Sequence, residues 1–521
     1  VTSTLLTTPP VGPDARRTPT AGTPDRSPAW RRWTALAVLM LPVLLISIDN
    51  TVLSFALPQI SVALAPSGTQ LLWIVDAYSL VLAGLLVPMG SLADRLGRRR
   101  MLLVGAVGFA AVSALAAFAP TAGSLVAARA ALGFFGAMLM PSTLSLLRNV
   151  FTDRTERRLA IAIWGSAFAG GSAVGPIVGG VLLEHFWWGS VFLLAVPVLV
   201  LLLVLAPIFV PESRDPAPGR LDVLSIVLVM AAMTPVVYAI KELAKHGLTV
   251  VAVGCLAVGA LAGVAFVRRQ LRRPDPMLDV RLFAVPAFTG SVLVNLLSVF
   301  GMIGFIFFVS QDLQLVAGLS PVRAGLVLLP GTVAMVVAGL AAVRVVRHVR
   351  PAHVIAGGLT LSTLGYLLTA AVAGRDEALL IGVAFVVLAI GVGAAETLSN
   401  DLVVSTVPAE KAGAASAISE TAYEVGAVLG TAVLGGILTA AYHAAVVVPV
   451  GVPAVDAVTA AETLGGATEV AAGLPDQQAQ ALLDSAHAAF TGGAALTSVI
   501  GALVVLAAAL LALRTLRHEQ G

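Results

Sequence analysis

Between Thr34 and Arg514 the sequence returns repeatedly to apolar stretches long enough to cross a lipid bilayer. A span needs roughly 20 such residues. Inside hydrocarbon every backbone polar group must be satisfied within the chain, which leaves helices or closed barrels. Continuous apolar runs of this length select helices. Only 11% of residues are charged and 58% are hydrophobic, whereas a soluble domain is about a quarter charged. The expected fold class is therefore all-α and polytopic. Breaks at charged or Pro/Gly clusters predict about fourteen spans, centred on 34–58, 70–92, 101–119, 124–147, 160–183, 189–209, 221–240, 248–267, 287–313, 321–345, 352–373, 378–405, 411–441 and 488–513.

The basic residues test this map. With both termini on one side, 26 of the 31 lysines and arginines fall at that side. Lys241, Lys245, Arg323 and Arg375 fall at the other, and Arg129 lies within a span. Positive residues concentrate on the cytoplasmic face of membrane proteins, so both termini are expected inside. The same placement argues against a nucleic-acid partner despite a pI near 9.3, because the charges sit in short loops. The first residues, rich in Pro, Thr and Ala, read as a disordered tail. The apolar run after Trp33 is too long for a signal-peptide core. The single cysteine, Cys255, excludes an intrachain disulfide and a cysteine-rich metal site. No phosphate-cradling P-loop pattern is present to bind ATP; no enzyme activity, cofactor or metal is expected.

Ionisable residues inside membrane spans are rare and functional by default. At about 1.5 Å per residue, Asp49 in the first span, Asp76 in the second and Arg129 in the fourth fall at one depth, as a polar network or lined cavity would require. In the thirteenth span Glu420 and Glu424 are four residues apart and share a helix face. Two like charges there repel, so the pair calls for a proton or a guest cation. Glu396, Asp401 and Asp312 are weaker candidates. Gly171, Gly175 and Gly179 repeat every four residues and permit close approach of another helix. Pro176 among them can bend the span, which suits a moving interface. The segment from Asp94 to Arg100 places an acid at a helix C-terminus, where the dipole disfavours it. Asp94, Arg95 and Arg98 are thus a candidate gate latch. Trp73, Tyr78, Trp164, Phe168 and Tyr423 share spans with these positions and offer faces for a cation. Segment 442–487 carries Asp456, Glu462, Glu469, Asp476 and Asp484 without Lys or Arg. It fits either a solvated acidic loop or a small amphipathic element over a pore mouth. An echo between Gly90–Arg98 and Gly339–Arg347 suggests an internal repeat, a common transporter feature, although Val343 stands where Asp94 stands.

These motifs resemble the major facilitator superfamily, and most of all its fourteen-span drug/proton antiporters of the quaternary-ammonium multidrug efflux type. Ile48–Pro58 is similar to the first-span signature, with Ser54 and Phe55 departing from it. Trp73–Arg100 is similar to the second span and its signature loop, and Arg129–Gly133 to the fourth-span motif. Gly171–Gly180 resembles the antiporter motif and Ala417–Gly426 the late acidic span. The resemblance implies a tail at 1–33, a six-helix bundle at 34–210, a two-helix insertion within 211–286, a second bundle at 287–514 containing the outside loop 442–487, and a tail at 515–521. It implies proton-coupled export of lipophilic cations from a bacterial cytoplasm by a monomer embedded in membrane lipid. Asp49, Asp76, Glu420 and Glu424 would carry coupling, with Arg129 tuning Asp49. Export of an endogenous antibiotic or lipid, import by proton symport, and a receptor without transport remain rival readings.

Overall fold

The computed structural model describes residues 28–214, 222–274, 276–374, 378–408 and 411–517. A few side chains within helices, Phe168 among them, lie outside this description. The described residues form helices and no strands. They run α1 (Ala29–Leu64), α2 (Gly68–Leu96), α3 (Arg98–Ala117), α4 (Ala122–Val150), α5 (Arg154–His185), α6 (Ser190–Leu193) and α7 (Ala195–Phe209). Then come α8 (Val223–His246), α9 (Val250–Arg272), α10 (Pro286–Gln311), α11 (Pro321–Val345), α12 (Pro351–Val372), α13 (Ala378–Ser405), α14 (Ala412–Gly430), α15 (Gly436–Ala445), α16 (Ala454–Glu462), α17 (Leu464–Ala472) and α18 (Asp476–Thr515). By length and composition, 13 described helices can cross a membrane, and the 32-residue α5 stands at the fifth predicted position. Helix α1 begins at Ala29, so residues 29–33 are helical rather than tail.

Two six-helix bundles and a hairpin account for the packing. In the first bundle α1 packs on α5 and α7, and α2 and α3 pack on α4. In the second, α11 and α12 pack on α13, α12 on α18, and α10 on α13, α14 and α18. A π-helical turn at Thr431–Gly435 joins α14 to α15. Between the bundles, α8 and α9 pair as a hairpin whose large apolar side chains, such as Val227, Val253 and Leu261, face outward. Asp222 caps α8 through Ser225 N (3.2 Å) and holds Arg269 (2.9 Å) and Arg273 (3.1 Å), closing the hairpin base.

One end of the molecule carries the arginine-rich loops and the other carries segment 442–487. The bundles join at the second end. There α5 packs on α11, and α2 on α14. Gln314 Nε2 donates to Phe55 O (3.1 Å) and Ser320 Oγ to Glu184 (3.4 Å). A Cβ on Gly325 would lie 2.7 Å from Pro176 O, so only glycine permits this approach of α11 to α5.

Segment 442–487 is structured and lies over this junction. Helices α16 and α17 fold back on it, and the last part of the segment already belongs to α18. Glu462 accepts from Gly68 N (3.0 Å) at the start of α2 and pairs with Lys245 of α8 (2.8 Å). Thr463 bonds Ser61 of α1 (3.1 Å). One turn thus ties together both bundles and the hairpin. Burial of Glu462 opposes its charge. The bonds from Lys245 and Gly68, with the charges of Lys245 and His443, outweigh burial and hold the carboxyl below its ordinary value. Such a group stabilises the fold fully above its unfolded pKa of about 4.3, and the contribution is lost as pH falls through the lowered folded value. We expect Glu462→Gln to destabilise the protein at pH 7 by about 1–2 kcal/mol, read as a lower unfolding temperature in detergent. The gap between wild type and variant should close as pH falls below about 4; a gap of full size at pH 3 would contradict an ionised latch.

Candidate functional site

Arg129 is the first large charged side chain that the bundle buries. It sits about two turns into α4 and is 2% exposed. Its Nη1 donates to Asp49 of α1 (2.8 Å) and its Nε to the backbone carbonyl of Ile74 in α2 (3.1 Å). Its guanidinium carbon lies 4.6 Å from the centre of the Tyr78 ring. One side chain therefore pins three helices. The close approach of α4 to α2 that this needs is made by Gly133 and Gly136, which lie against Tyr78.

Asp76, two residues from both Ile74 and Tyr78 and so on another side of α2, has a different partner. The ammonium of Lys241, from α8, lies 2.8 Å from its Oδ2 and 3.8 Å from the centre of the Trp73 ring. Both side chains are sealed, at 0% and 1% exposure. The expectation of a shared depth holds for Asp49 and Arg129, which touch. Asp76 is paired elsewhere. Lys241 was expected in a loop because the seventh span was expected to end at 240; α8 continues to His246 and carries it inside.

The second bundle contributes acids to the same region. Glu424 of α14 is 5% exposed. It shares a side-chain hydrogen bond with Ser79 of α2 and stands within electrostatic reach of Arg129 and Glu420. Its Oε2 is buried without a hydrogen-bond partner. Tyr78 lies within reach of Asp49, Glu424 and Arg129, and Tyr423 within reach of Glu396, Glu420 and Glu424. Glu396 of α13 in turn feels Glu420. Beside Glu420, Ser419 accepts from Asn295 Nδ2 (3.1 Å) and donates to Asn400. The constellation thus runs from Asp49–Arg129 in the first bundle, past Tyr78 and Ser79, to Glu424, Glu420 and Glu396 in the second. The uncharged members Ser79, Asn295 and Asn400 left no mark in the sequence reading, because a lone hydroxyl or amide in an apolar run is ordinary in membrane helices.

The remaining sequence candidates separate by position. Asp94 pairs with Arg98 Nε at 2.8 Å, supplying the partner its helix end requires. Arg98 also bonds Ser213, and Glu212 accepts from the backbone N–H groups of Arg99 and Arg100. Gly97 turns this corner at φ 114°, a conformation that favours glycine. These contacts stay within the first bundle and the segment that directly follows α7. Arg95 is exposed. Gly171, Gly175 and Gly179 face Ser47, Thr51 and Val52 of α1, so the smooth face serves packing inside one bundle. Their neighbours Pro176 and Gly180 are the residues that meet α11 across the interface. Trp164 donates to Thr143 Oγ1 (3.3 Å), and the side chain of Phe168 lies outside the described residues. Trp73 and Tyr78 do hold cations, and both are the protein's own.

Residues 39–431 match the Major Facilitator Superfamily. The chain belongs to this superfamily. It is 60% identical over 490 residues to the multidrug efflux pump LfrA of Mycolicibacterium smegmatis, covering 94% of this chain and 97% of that one. It is 37% identical over 484 residues to the methyl viologen resistance protein SmvA of Salmonella typhimurium, covering 92% of this chain and 97% of the other. Among solved structures, its fold is similar to a bacterial homologue of the human lysosomal transporter Spinster in an inward-facing, unoccupied conformation. The TM-score is 0.65 at 17% identity, covering 94% of this chain and 99% of that chain. This major facilitator member is therefore a multi-pass membrane protein built as a transporter, and not an enzyme.

Within that architecture the Asp49–Arg129 pair makes a direct prediction. Removing one partner of a buried pair strands the other charge and costs about 3–5 kcal/mol. Replacing both leaves no stranded charge. Arg129→Met should therefore unfold at a lower temperature in detergent than Asp49→Asn/Arg129→Met. Arg129→Lys keeps a point charge but cannot also reach Ile74 O in the same planar geometry, and should fall between wild type and Arg129→Met. A double variant as unstable as the sum of its parts would show that the two residues act independently.

Proposed function

We propose that this chain is a proton-coupled multidrug efflux antiporter of lipophilic, quaternary-ammonium-type cations in a bacterial cytoplasmic membrane, working as a monomer with both termini in the cytoplasm. The observation that carries the reading is Glu424. It is a buried acid of the second bundle with an unpartnered oxygen, within reach of the Asp49–Arg129 pair of the first. An acid so placed is satisfied by a proton or by a cationic guest, and the two compete. Glu420, four residues away, and Glu396 add negative charge on the same side, while Tyr78 and Tyr423 line it with aromatic surface. Arg129 pairs with Asp49 and orients it, and a proton arriving at Asp49 releases Arg129 towards Glu424. That exchange links protonation of one bundle to the charge offered by the other.

Orientation follows from the basic residues, which crowd the end opposite segment 442–487. The bundles are joined at the 442–487 end, and the Asp94–Arg98 knot makes its contacts within its own bundle. This arrangement supports access to the acids from the cytoplasm. Names of the relatives support the guest class, since one is a multidrug efflux pump and the other a methyl viologen resistance protein.

The test is flux in proteoliposomes under an imposed pH gradient. A monovalent cationic dye such as ethidium should accumulate in an acidic lumen, through the fraction of transporters whose cytoplasmic face points outward. Glu424→Gln should lower accumulation at least tenfold, and a neutral compound of similar size should not accumulate. Dye accumulation that survives neutralising Asp49, Asp76, Glu420 and Glu424 together would overturn the cation-exchange reading and favour export of an endogenous, uncharged product.

A further inference from the structure

The pair between Asp76 and Lys241 belongs to neither bundle's interior. Helix α8 packs on α2 of the first bundle, and on α15 and the π-helical turn of the second. Leu80 of α2, Val237 of α8, and Val428 and Ala432 of the second bundle form one apolar cluster here, with Trp73, Met233 and Ile240 against it. Lys241 therefore reaches its acid at a place where the hairpin, α2 and the second bundle meet.

The pair is close but loosely made. The N···O distance is 2.8 Å and Thr431 stands within hydrogen-bonding reach of Asp76, yet none of the Asp76 oxygens, Lys241 Nζ and Thr431 Oγ1 completes a hydrogen bond of good angle. A permanent structural ion pair this deeply buried requires its remaining donors and acceptors to be satisfied. Here the ammonium is held by charge and by the face of Trp73, the same two elements that hold a cationic guest. Neighbouring charged groups are occupied elsewhere. Lys245 pairs with Glu462, His246 lies 3.2 Å from Glu242, and Arg129 pairs with Asp49. Glu424 meets Ser79, and His443 of α15 faces Glu462. No other described cation pairs with Asp76.

We propose that Lys241 is a coupling residue: a tethered cation that neutralises Asp76 while the bundles are joined at the 442–487 end, and withdraws with α8 when that end opens. The inference rests on the proton-coupled reading above. Asp76 then takes a proton in place of the ammonium, Lys241 keeps its charge in the opened vestibule, and the carboxylate's charge is answered in both states, by the ammonium in one and by the proton in the other. The α8–α9 hairpin thereby becomes part of the coupling machinery. Closing the 442–487 end returns Lys241 to Asp76 and expels the proton.

The experiment separates coupling from packing. In proteoliposomes, dye exchange with no pH gradient reports binding and alternation, whereas accumulation under a gradient reports coupling. Lys241→Met keeps length and removes charge, and Asp76→Asn/Lys241→Met removes both charges, which avoids a stranded acid if the single variant folds poorly. Lys241→Met should keep dye exchange within about threefold of wild type, and both variants should lose gradient-driven accumulation by tenfold or more. Lys241→Arg should retain more accumulation than either. Gradient-driven accumulation at the wild-type level in the folded double variant would overturn the role of Lys241 and leave the proton reading standing. Wild-type transport that ignores the gradient would overturn the proton reading and this inference with it.

Discussion

A charge in hydrocarbon persists only where something answers it, and this molecule is organised around the answers. Arg129 is the clearest case. Its guanidinium satisfies Asp49 from α1, a backbone carbonyl from α2 and the Tyr78 ring at once, so three helices take their relative positions from one planar group. Lys241 does the same for α8 against α2. Glu424, with one oxygen unanswered and no basic side chain bonded to it, breaks the pattern where the two bundles face each other. The transport reading grows from that contrast between satisfied charges within elements and an unsatisfied one between them.

The two ends of the molecule differ for a related reason. At the 442–487 end, Glu462 gathers a helix N-terminus from one bundle and a lysine from the hairpin, while its own turn belongs to the other bundle. At the arginine-rich end, Asp94 and Arg98 satisfy each other, Arg98 also bonds Ser213, and Glu212 takes the backbone N–H groups of Arg99 and Arg100, all within the first bundle and the segment that follows α7. On the proposed transport reading, junction at one end and self-sufficiency at the other correspond to one phase of a cycle. On that reading the second phase would separate Glu462 from Lys245 and Gly68, and Lys241 from Asp76.

Much of this was legible in the sequence, because hydrophobic length and charge placement are one-dimensional signals. The spans, the helical fold and the superfamily followed from runs of apolar residues and from loops such as Asp94–Arg100. Asp49 and Arg129 were found together because helix rise alone sets them at one depth. Depth says nothing about azimuth, however. Asp76, at the same level, points to a lysine that the sequence assigned to a loop, since Lys241 is followed closely by Glu242, Lys245 and His246 and resembles an interfacial end. The glycine ladder of α5 was legible as a packing face but not as to its partner, which is α1 of the same bundle. Segment 442–487 carried an acidic composition that fitted two readings, and only its tertiary bonds distinguish them.

The central claim is that buried acids exchange a proton for a cationic guest at one site. Proton release on binding tests it most directly, with purified protein in weakly buffered detergent near neutral pH. Adding ethidium to saturation should release protons into the medium, and Glu424→Gln should release markedly fewer while a neutral ligand releases none. Saturable ethidium binding with no proton release at any pH between about 6 and 8 would contradict the account.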